Sequence, residues 1–186
     1  MKSLSTAALL IAGLLTSQTH AANVAGIELA EKIQPEHSEL VLNGAGVRSK
    51  FFIDLYVGSL YVSSPSQQLD EILSQPEVAV RLNITSGMIT SDKMQDAINE
   101  GFDDATDGNT DAIKQQITTF MALFADEIKQ GDQFTLVATK DLGVTAYKNG
   151  KLQDTVKGEA FRQALLKIWL GDQPAQKSLK KAMLNQ

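Results

Sequence analysis

Two stretches in which apolar and polar residues alternate, VAGIELAEKI (24–33) and ELVLNGAGV (39–47), come first in the folded part of the chain. A two-residue period sends successive side chains to opposite faces of a strand, so both predict β-structure. A longer strand is predicted over 50–63. Its odd positions, Phe51, Ile53, Leu55, Val57, Ser59 and Tyr61, are more apolar than the even ones, which include Lys50, Asp54, Tyr56 and Gly58. The odd face is therefore expected to meet the main core. SPSQQLDEILSQP (64–76) predicts a short helix opened by Pro65 and closed before Pro76, and EVAVRLNIT (77–85) returns to alternation.

The period then lengthens. Thr90 or Ser91 is a good N-cap for a helix that sets Met94, Ala97 and Ile98 on one face. A second helix is predicted from Thr110 to Lys129, with Ile113, Ile117, Phe120, Met121, Phe124 and Ile128 as its stripe and Gly131 as its stop. DQFTLVAT and GVTAYKNGKLQDTV follow as strands, with turns at Asp141-Leu142-Gly143 and at Asn149-Gly150, the latter a two-residue hairpin signal. Two helices end the chain, GEAFRQALLKIWLG with a buried stripe of Phe161, Leu165, Ile168 and Trp169, then QPAQKSLKKAML. Strands, helices, a β-meander and helices again make an α+β order rather than alternating βαβ, so an antiparallel sheet with helices packed on one face is expected.

Residues 1–21 stand apart from this pattern. AALLIAGLL (Ala7 to Leu15) is an apolar run too short to span a bilayer, and it follows a weakly basic start. Thr19 and Ala21 fit a small-x-small cleavage site, so 1–21 reads as a secretory signal peptide cut after Ala21, leaving residues 22–186 as one domain. No later stretch approaches membrane-spanning length. The chain has no Cys, which excludes a lipid-anchored lipoprotein, disulfides, thiolate zinc sites and a Cys nucleophile. Its net charge of −5 becomes more negative once Lys2 is removed. That balance argues against nucleic acid, and against an anionic membrane surface, as a partner.

Catalytic constellations are scarce. His37 is the one His after residue 21, beside Pro35 and between Glu36 and Glu39, and it reads as a turn residue. One imidazole builds neither a multi-His metal site nor a triad with a nucleophile elbow, but it suffices as an axial haem ligand. DDATDGNTD (103–111) lacks the closing Glu of a calcium loop, and NGAGVR lacks the rest of a phosphate-binding loop. Arg48 is left, between a Gly-Ala-Gly-Val approach and a long apolar strand. A permanently charged planar fork there is either a strand-end charge that reaches water or the anchor for an anion at an apolar cavity, with Tyr56 and Tyr61 adding hydroxyls. Eight residues of straight strand would hold Arg48 and Tyr56 about 26 Å apart, so they meet only if the chain bends, for which Ser49-Lys50 is a candidate.

LNGAGVRSKFFIDLYVGSLYV, the K-x-x-x-A-x-x-E-G-F helix that begins at Lys93 and the F-x-x-A-L-L-x-I-W-L-G-x-x-P segment that begins at Phe161 together resemble the chalcone isomerase-like proteins, in particular their bacterial exported branch. The resemblance runs from about Ile27 to the C-terminus. It implies an open-faced β-sandwich, a large antiparallel sheet covered on one side by helices, and a periplasmic location. The family holds plant isomerases that close a flavanone ring, plastid fatty-acid binders and non-catalytic auxiliary proteins. By the resemblance, Arg48 matches the shared arginine, Tyr56 falls near the isomerases' strand Thr, Tyr61 suits the fatty-acid binders' Tyr and Lys93 matches a helix lysine. Thr90 stands where the isomerases carry a Tyr, and Ala97 where they carry an Asn, which removes hydroxyl and amide groups from the oxyanion site. The expectation is a non-catalytic periplasmic protein that binds an apolar carboxylate such as a fatty acid, with Arg48, Tyr56, Tyr61, Lys93 and Thr90 at the site. The other readings are haem held by Arg48 and His37, an enone isomerase, and a ligand-free interaction module in which Arg48 pairs with Asp54.

Overall fold

The computed structural model describes residues 22–36 and 38–186, so the segment read as a signal peptide and His37 lie outside the described residues. The first alternating stretch is divided. β1 (Ala22–Val24) and β2 (Ile27–Leu29) form a small hairpin of their own, and β3 (Lys32–Ile33) joins the main sheet. That sheet continues with β4 (Leu40–Lys50), β5 (Ile53–Val62), β6 (Glu77–Ile84), β7 (Gln133–Thr139), β8 (Gly143–Lys148) and β9 (Lys151–Lys157). Its strands lie side by side in chain order, and every pairing is antiparallel. The expected turns before β8 and at Asn149-Gly150 are present, the latter joining Lys148 to its partner Lys151.

Among the described residues five α-helices accompany the sheet: α1 (Leu69–Ser74), α2 (Ser91–Ala105), α3 (Lys114–Ala122), α4 (Glu159–Leu170) and α5 (Lys177–Met183). Their apolar residues share one core with Tyr56, Leu60, Val80, Leu82, Leu136 and Ala146 of the sheet. Tyr61, Ala79 and Val137 point the other way, into a smaller cluster with Leu40. This is the α+β open-faced sandwich, helices on one face of an antiparallel sheet.

Three expectations need correction. The strand predicted over 50–63 begins only at Ile53, because Lys50 closes β4 and Phe51-Phe52 form a two-residue turn between Lys50 and its partner Ile53. Both phenylalanines have positive φ, 51° and 65°. Such a turn normally carries Asn-Gly, so an apolar pair read as continuing strand. Second, the even face of β5, not the odd one, meets the helices. Gly58 is part of that face and lets Leu179 of α5 come close, so its low apolarity reflects tight packing rather than exposure. Third, the helix expected over 110–129 is a 3₁₀ turn at Asp111–Ile113 followed by α3, which stops at Ala122. Beyond it the Phe124 carbonyl accepts hydrogen bonds from the Ser91 hydroxyl and from Gln95 Nε2 in the first turns of α2. Those side chains hold the carbonyl in place of a further helical turn, while Phe124 and Ile128 still reach the core. Gly131, at φ 92°, turns the chain into β7.

The glycines of NGAGV have a packing role. A Cβ on Gly44 would stand 2.1 Å from the Ala182 carbonyl oxygen, and one on Gly46 would stand 2.7 Å from the Ala182 Cβ. α5 thus lies directly on the backbone of β4. Asn43 secures this contact, donating from Nδ2 to the carbonyls of Met183 (2.8 Å) and Ser66 (2.9 Å) and accepting from the Ser66 amide at 2.8 Å. α1 is six residues long, too short to hold alone. The fully buried Arg162 of α4 donates to the carbonyls of Leu73 (2.7 Å) and Gln75 (3.1 Å) at its C-terminal end.

Gly44→Ala is expected to destabilise the fold by about 1–3 kcal/mol, because a backbone carbonyl cannot yield as a side chain would. Urea denaturation measures it. Phe51→Asn/Phe52→Gly is expected to raise stability by about 1–2 kcal/mol by relieving two left-handed bulky residues, read as a rise in Tm.

Candidate ligand-binding cleft

Between the sheet and the helices α2 and α4 lies a cleft of about 480 Å³, within the roughly 300–1,000 Å³ common for small-molecule sites. Leu55, Leu82 and Leu136 form its floor from three adjacent strands. Met94 and Ile98 of α2 and Ile168 and Trp169 of α4 face them. Phe120 and Phe124 also line it and connect to the ring cluster around Phe102 and Phe161. Gly101 fixes how closely the two helices approach, since a Cβ there would meet Ile168 Cγ2 at 2.8 Å.

Arg48 lies within β4, half-buried, and is the direct cross-strand partner of Tyr56 on β5. The bend that brings them together is the Phe51-Phe52 turn, two residues beyond the expected Ser49-Lys50. Directly opposed residues share a face of the sheet, and both line the cleft. Gln176, the N-cap residue of α5, positions the guanidinium. Its Oε1 accepts from Arg48 Nη1 at 3.1 Å and from the Ser49 amide at 3.0 Å, while its Nε2 donates to the Val47 carbonyl at 3.2 Å. Among the described residues Arg48 has no carboxylate partner. Asp54 instead accepts from the Ser49 hydroxyl at 2.7 Å.

Tyr56 is buried, and Trp169 Nε1 lies 3.0 Å from its hydroxyl. An indole N–H only donates, so the phenol oxygen accepts and its own proton is left to serve another acceptor. Burial pushes the Tyr56 phenol above its ordinary value, against the opposing effects of the Trp169 N–H and the Arg48 charge. The hydroxyl is therefore a neutral donor throughout the physiological range. Together Arg48 and Tyr56 offer a fixed positive charge and a hydroxyl donor beside the apolar floor of the cleft, whose α2 side also carries Asp96, Glu100 and Asp104. That arrangement suits an anionic oxygen attached to an apolar body.

Lys93 also lines the cleft, exposed at its rim, where its ammonium donates to the Met88 carbonyl at 3.1 Å. Two expected residues do not join this group. Tyr61 is on the opposite face of the sheet, buried in the small cluster, with the Arg81 guanidinium 5.5 Å from its ring centroid. It is five residues from Tyr56, an odd spacing that a strand turns to the other side. Thr90 caps α2, its hydroxyl accepting from the Lys93 amide at 3.3 Å. It borders a separate hollow of about 280 Å³ together with Ser91, Asp92 and Glu127. The carboxylates and the described residues around them form no cluster of three or more metal-ligating side chains. Gln176 and Trp169 are the residues that sequence reading missed as parts of the site. Trp169 is legible only as a core residue, and no local pattern marks Gln176.

Comparison with curated proteins gives no match. Among solved structures, the crystal structure of a fatty-acid binding protein from Arabidopsis thaliana aligns with a TM-score of 0.67 at 16% identity, over 86% of this chain and 92% of that one. At that identity the likeness is one of fold. The family model described as chalcone isomerase-like matches residues 21–185, which takes in every strand and helix described above. A match of that extent settles the assignment: the chain belongs to the chalcone isomerase-like family.

Proposed function

We propose that this protein is a non-catalytic, exported carrier of an apolar carboxylate, with a long-chain fatty acid as the ligand class. The observation that carries this reading is the pairing of Arg48 with Tyr56 beside the apolar floor of the cleft, with no protein carboxylate bonded to the guanidinium among the described residues; Asp96, Glu100 and Asp104 of α2 border the cleft without bonding to Arg48. Arg48 supplies charge-assisted hydrogen bonds to the carboxylate, Tyr56 donates its free proton, and the leucines and the faces of α2 and α4 cover the alkyl chain. Lys93 at the rim adds a second cation. The fold likeness to a fatty-acid binding protein supports the same class of ligand. Thr90 supports the non-catalytic half of the reading, since its hydroxyl borders the other hollow rather than this cleft. The apolar run within residues 1–21 supports export to the periplasm.

Displacement of a fluorescent fatty acid tests the site. Arg48→Ala is expected to weaken binding roughly tenfold to a hundredfold, the size of about 1.5–3 kcal/mol for a hydrogen bond to a charged group. Tyr56→Phe is expected to cost less, about 0.5–1.5 kcal/mol. Unchanged affinity in Arg48→Ala would remove the anchor from the site. Incubation with a chalcone is expected to give no cyclisation above the spontaneous rate, and turnover above it would replace this reading with an enzymatic one. N-terminal sequencing of the periplasmic protein is expected to begin at Ala22.

A further inference from the structure

The turn that aligns Arg48 with Tyr56 also exposes two aromatic rings. Phe51 is 83% exposed and Phe52 fully so. Both have the left-handed backbone that disfavours bulky residues, at φ 51° and 65°. Asn-Gly would satisfy the same turn without strain, so nothing in the folding of the hairpin calls for phenylalanine. Of the six large apolar side chains exposed among the described residues, Phe51, Phe52, Ile53 and Met88 are four. Phe51, Ile53 and Met88 all border the cleft, as do Lys50 and Lys93. The Lys93 ammonium is held on the carbonyl of Met88 itself, so a cation accompanies the apolar group.

We propose that this tip docks the protein on a phospholipid bilayer. Phe51 and Phe52 enter the outer part of the acyl layer, with Met88, which borders the same cleft as Phe51, and the ammonium groups of Lys50 and Lys93 stay at the level of the lipid phosphates. Aromatic rings flanked by lysines suit that boundary, where an apolar layer meets anionic oxygens within a few ångströms. The net charge of −5 opposes a long-range attraction to an anionic surface. Adhesion is therefore local, on a scale at or below the Debye length of about 8–10 Å. Glu100 and Asp104 border the cleft farther along α2, but Asp92 and Asp96 lie within one turn of Lys93, so the apolar side chains supply most of the adhesion and the lysines a local increment. A second copy of the chain suits the tip less well. Two phenyl rings offer about 300–500 Å², short of the roughly 800 Å² per partner of a stable protein interface.

Docking in this orientation turns the mouth of the cleft towards the membrane. If the fatty-acid reading holds, an insoluble ligand passes between bilayer and cleft without crossing open water; the docking itself does not depend on that reading. Vesicle flotation of the ligand-free protein tests it, using phosphatidylcholine vesicles with and without phosphatidylglycerol. The wild type is expected to float. Phe51→Asn/Phe52→Gly is expected to lower partitioning about tenfold or more, with Tm equal to or above that of the wild type. Lys50→Glu is expected to lose the increment that phosphatidylglycerol gives, and Leu152→Ser, an exposed apolar site on β9, is expected to float as the wild type does. Wild type and variants share one N-terminus, so residues 1–21 do not account for a difference between them. A wild type that stays with neither vesicle, or a double variant that floats equally well, overturns the proposal. So does a dimer that the double variant dissociates in the absence of flotation, which would assign the tip to a second copy.

Discussion

Arg48 faces Tyr56 because β5 folds back on β4 through a two-residue turn, and the rest of the site is built around that register. With Lys50 paired to Ile53, the register shift beyond Arg48 returns the strands to a frame in which Arg48 opposes Tyr56, Gly46 opposes Gly58 and Gly44 opposes Leu60. All of these lie on the helix-covered face. A slip of one residue would turn every one of them to the opposite face, placing the arginine outside the cleft and side chains where α5 needs bare backbone. The glycines and the arginine are thus consequences of a single pairing. The glycines admit α5, and α5 brings Gln176 to Arg48.

Trp169, Tyr56, Arg48 and Gln176 lie next to one another at the cleft. Trp169 donates to Tyr56, Tyr56 lies opposite Arg48, and Arg48 donates to Gln176, which also holds the Val47 and Ser49 backbone. The Trp169 indole and the Arg48 guanidinium each donate to an acceptor, whereas the Tyr56 proton stays available for a further one. The neutral Gln176 accepts from the guanidinium without forming an ion pair with it. A carboxylate in its position would have neutralised the arginine and occupied the fork that an anionic ligand needs. Among the described residues no carboxylate bonds the arginine, and the proposed anion reading rests on that feature.

The same hairpin concentrates cost and exposure at its tip. Two bulky residues in the left-handed region are strained, and rings in water contribute nothing to the core. Elsewhere the chain is economical. Arg162 satisfies the end of a six-residue helix, Asn43 joins three backbone groups, and the Ser91 and Gln95 side chains complete the end of the segment after α3. The strain at Phe51-Phe52 is the local conflict on which the proposed role of the tip rests.

Much of the fold was legible in the chain itself. Alternation found the sheet strands, helical spacing found α2 and α4 with the buried Phe161, Leu165, Ile168 and Trp169, and the lack of βαβ order gave the antiparallel class, because these patterns record burial directly. Arg48 was legible as a charge out of place, and the family resemblance placed it at a site. The errors share a physical origin. Phe51-Phe52 reads as strand since apolarity does not encode a positive φ; Gly58 reads as an exposed position since a missing side chain looks the same whether it faces water or a helix. Tyr61 matched by spacing but fell on the wrong side of the pleat, and Thr90 matched by position but was used as a helix cap. The sequence by itself determined the elements, the class and the arginine. Only the tertiary structure decided what stands opposite Arg48, which glutamine holds it and which end of the cleft carries the exposed rings, because those follow from contacts between residues far apart along the chain.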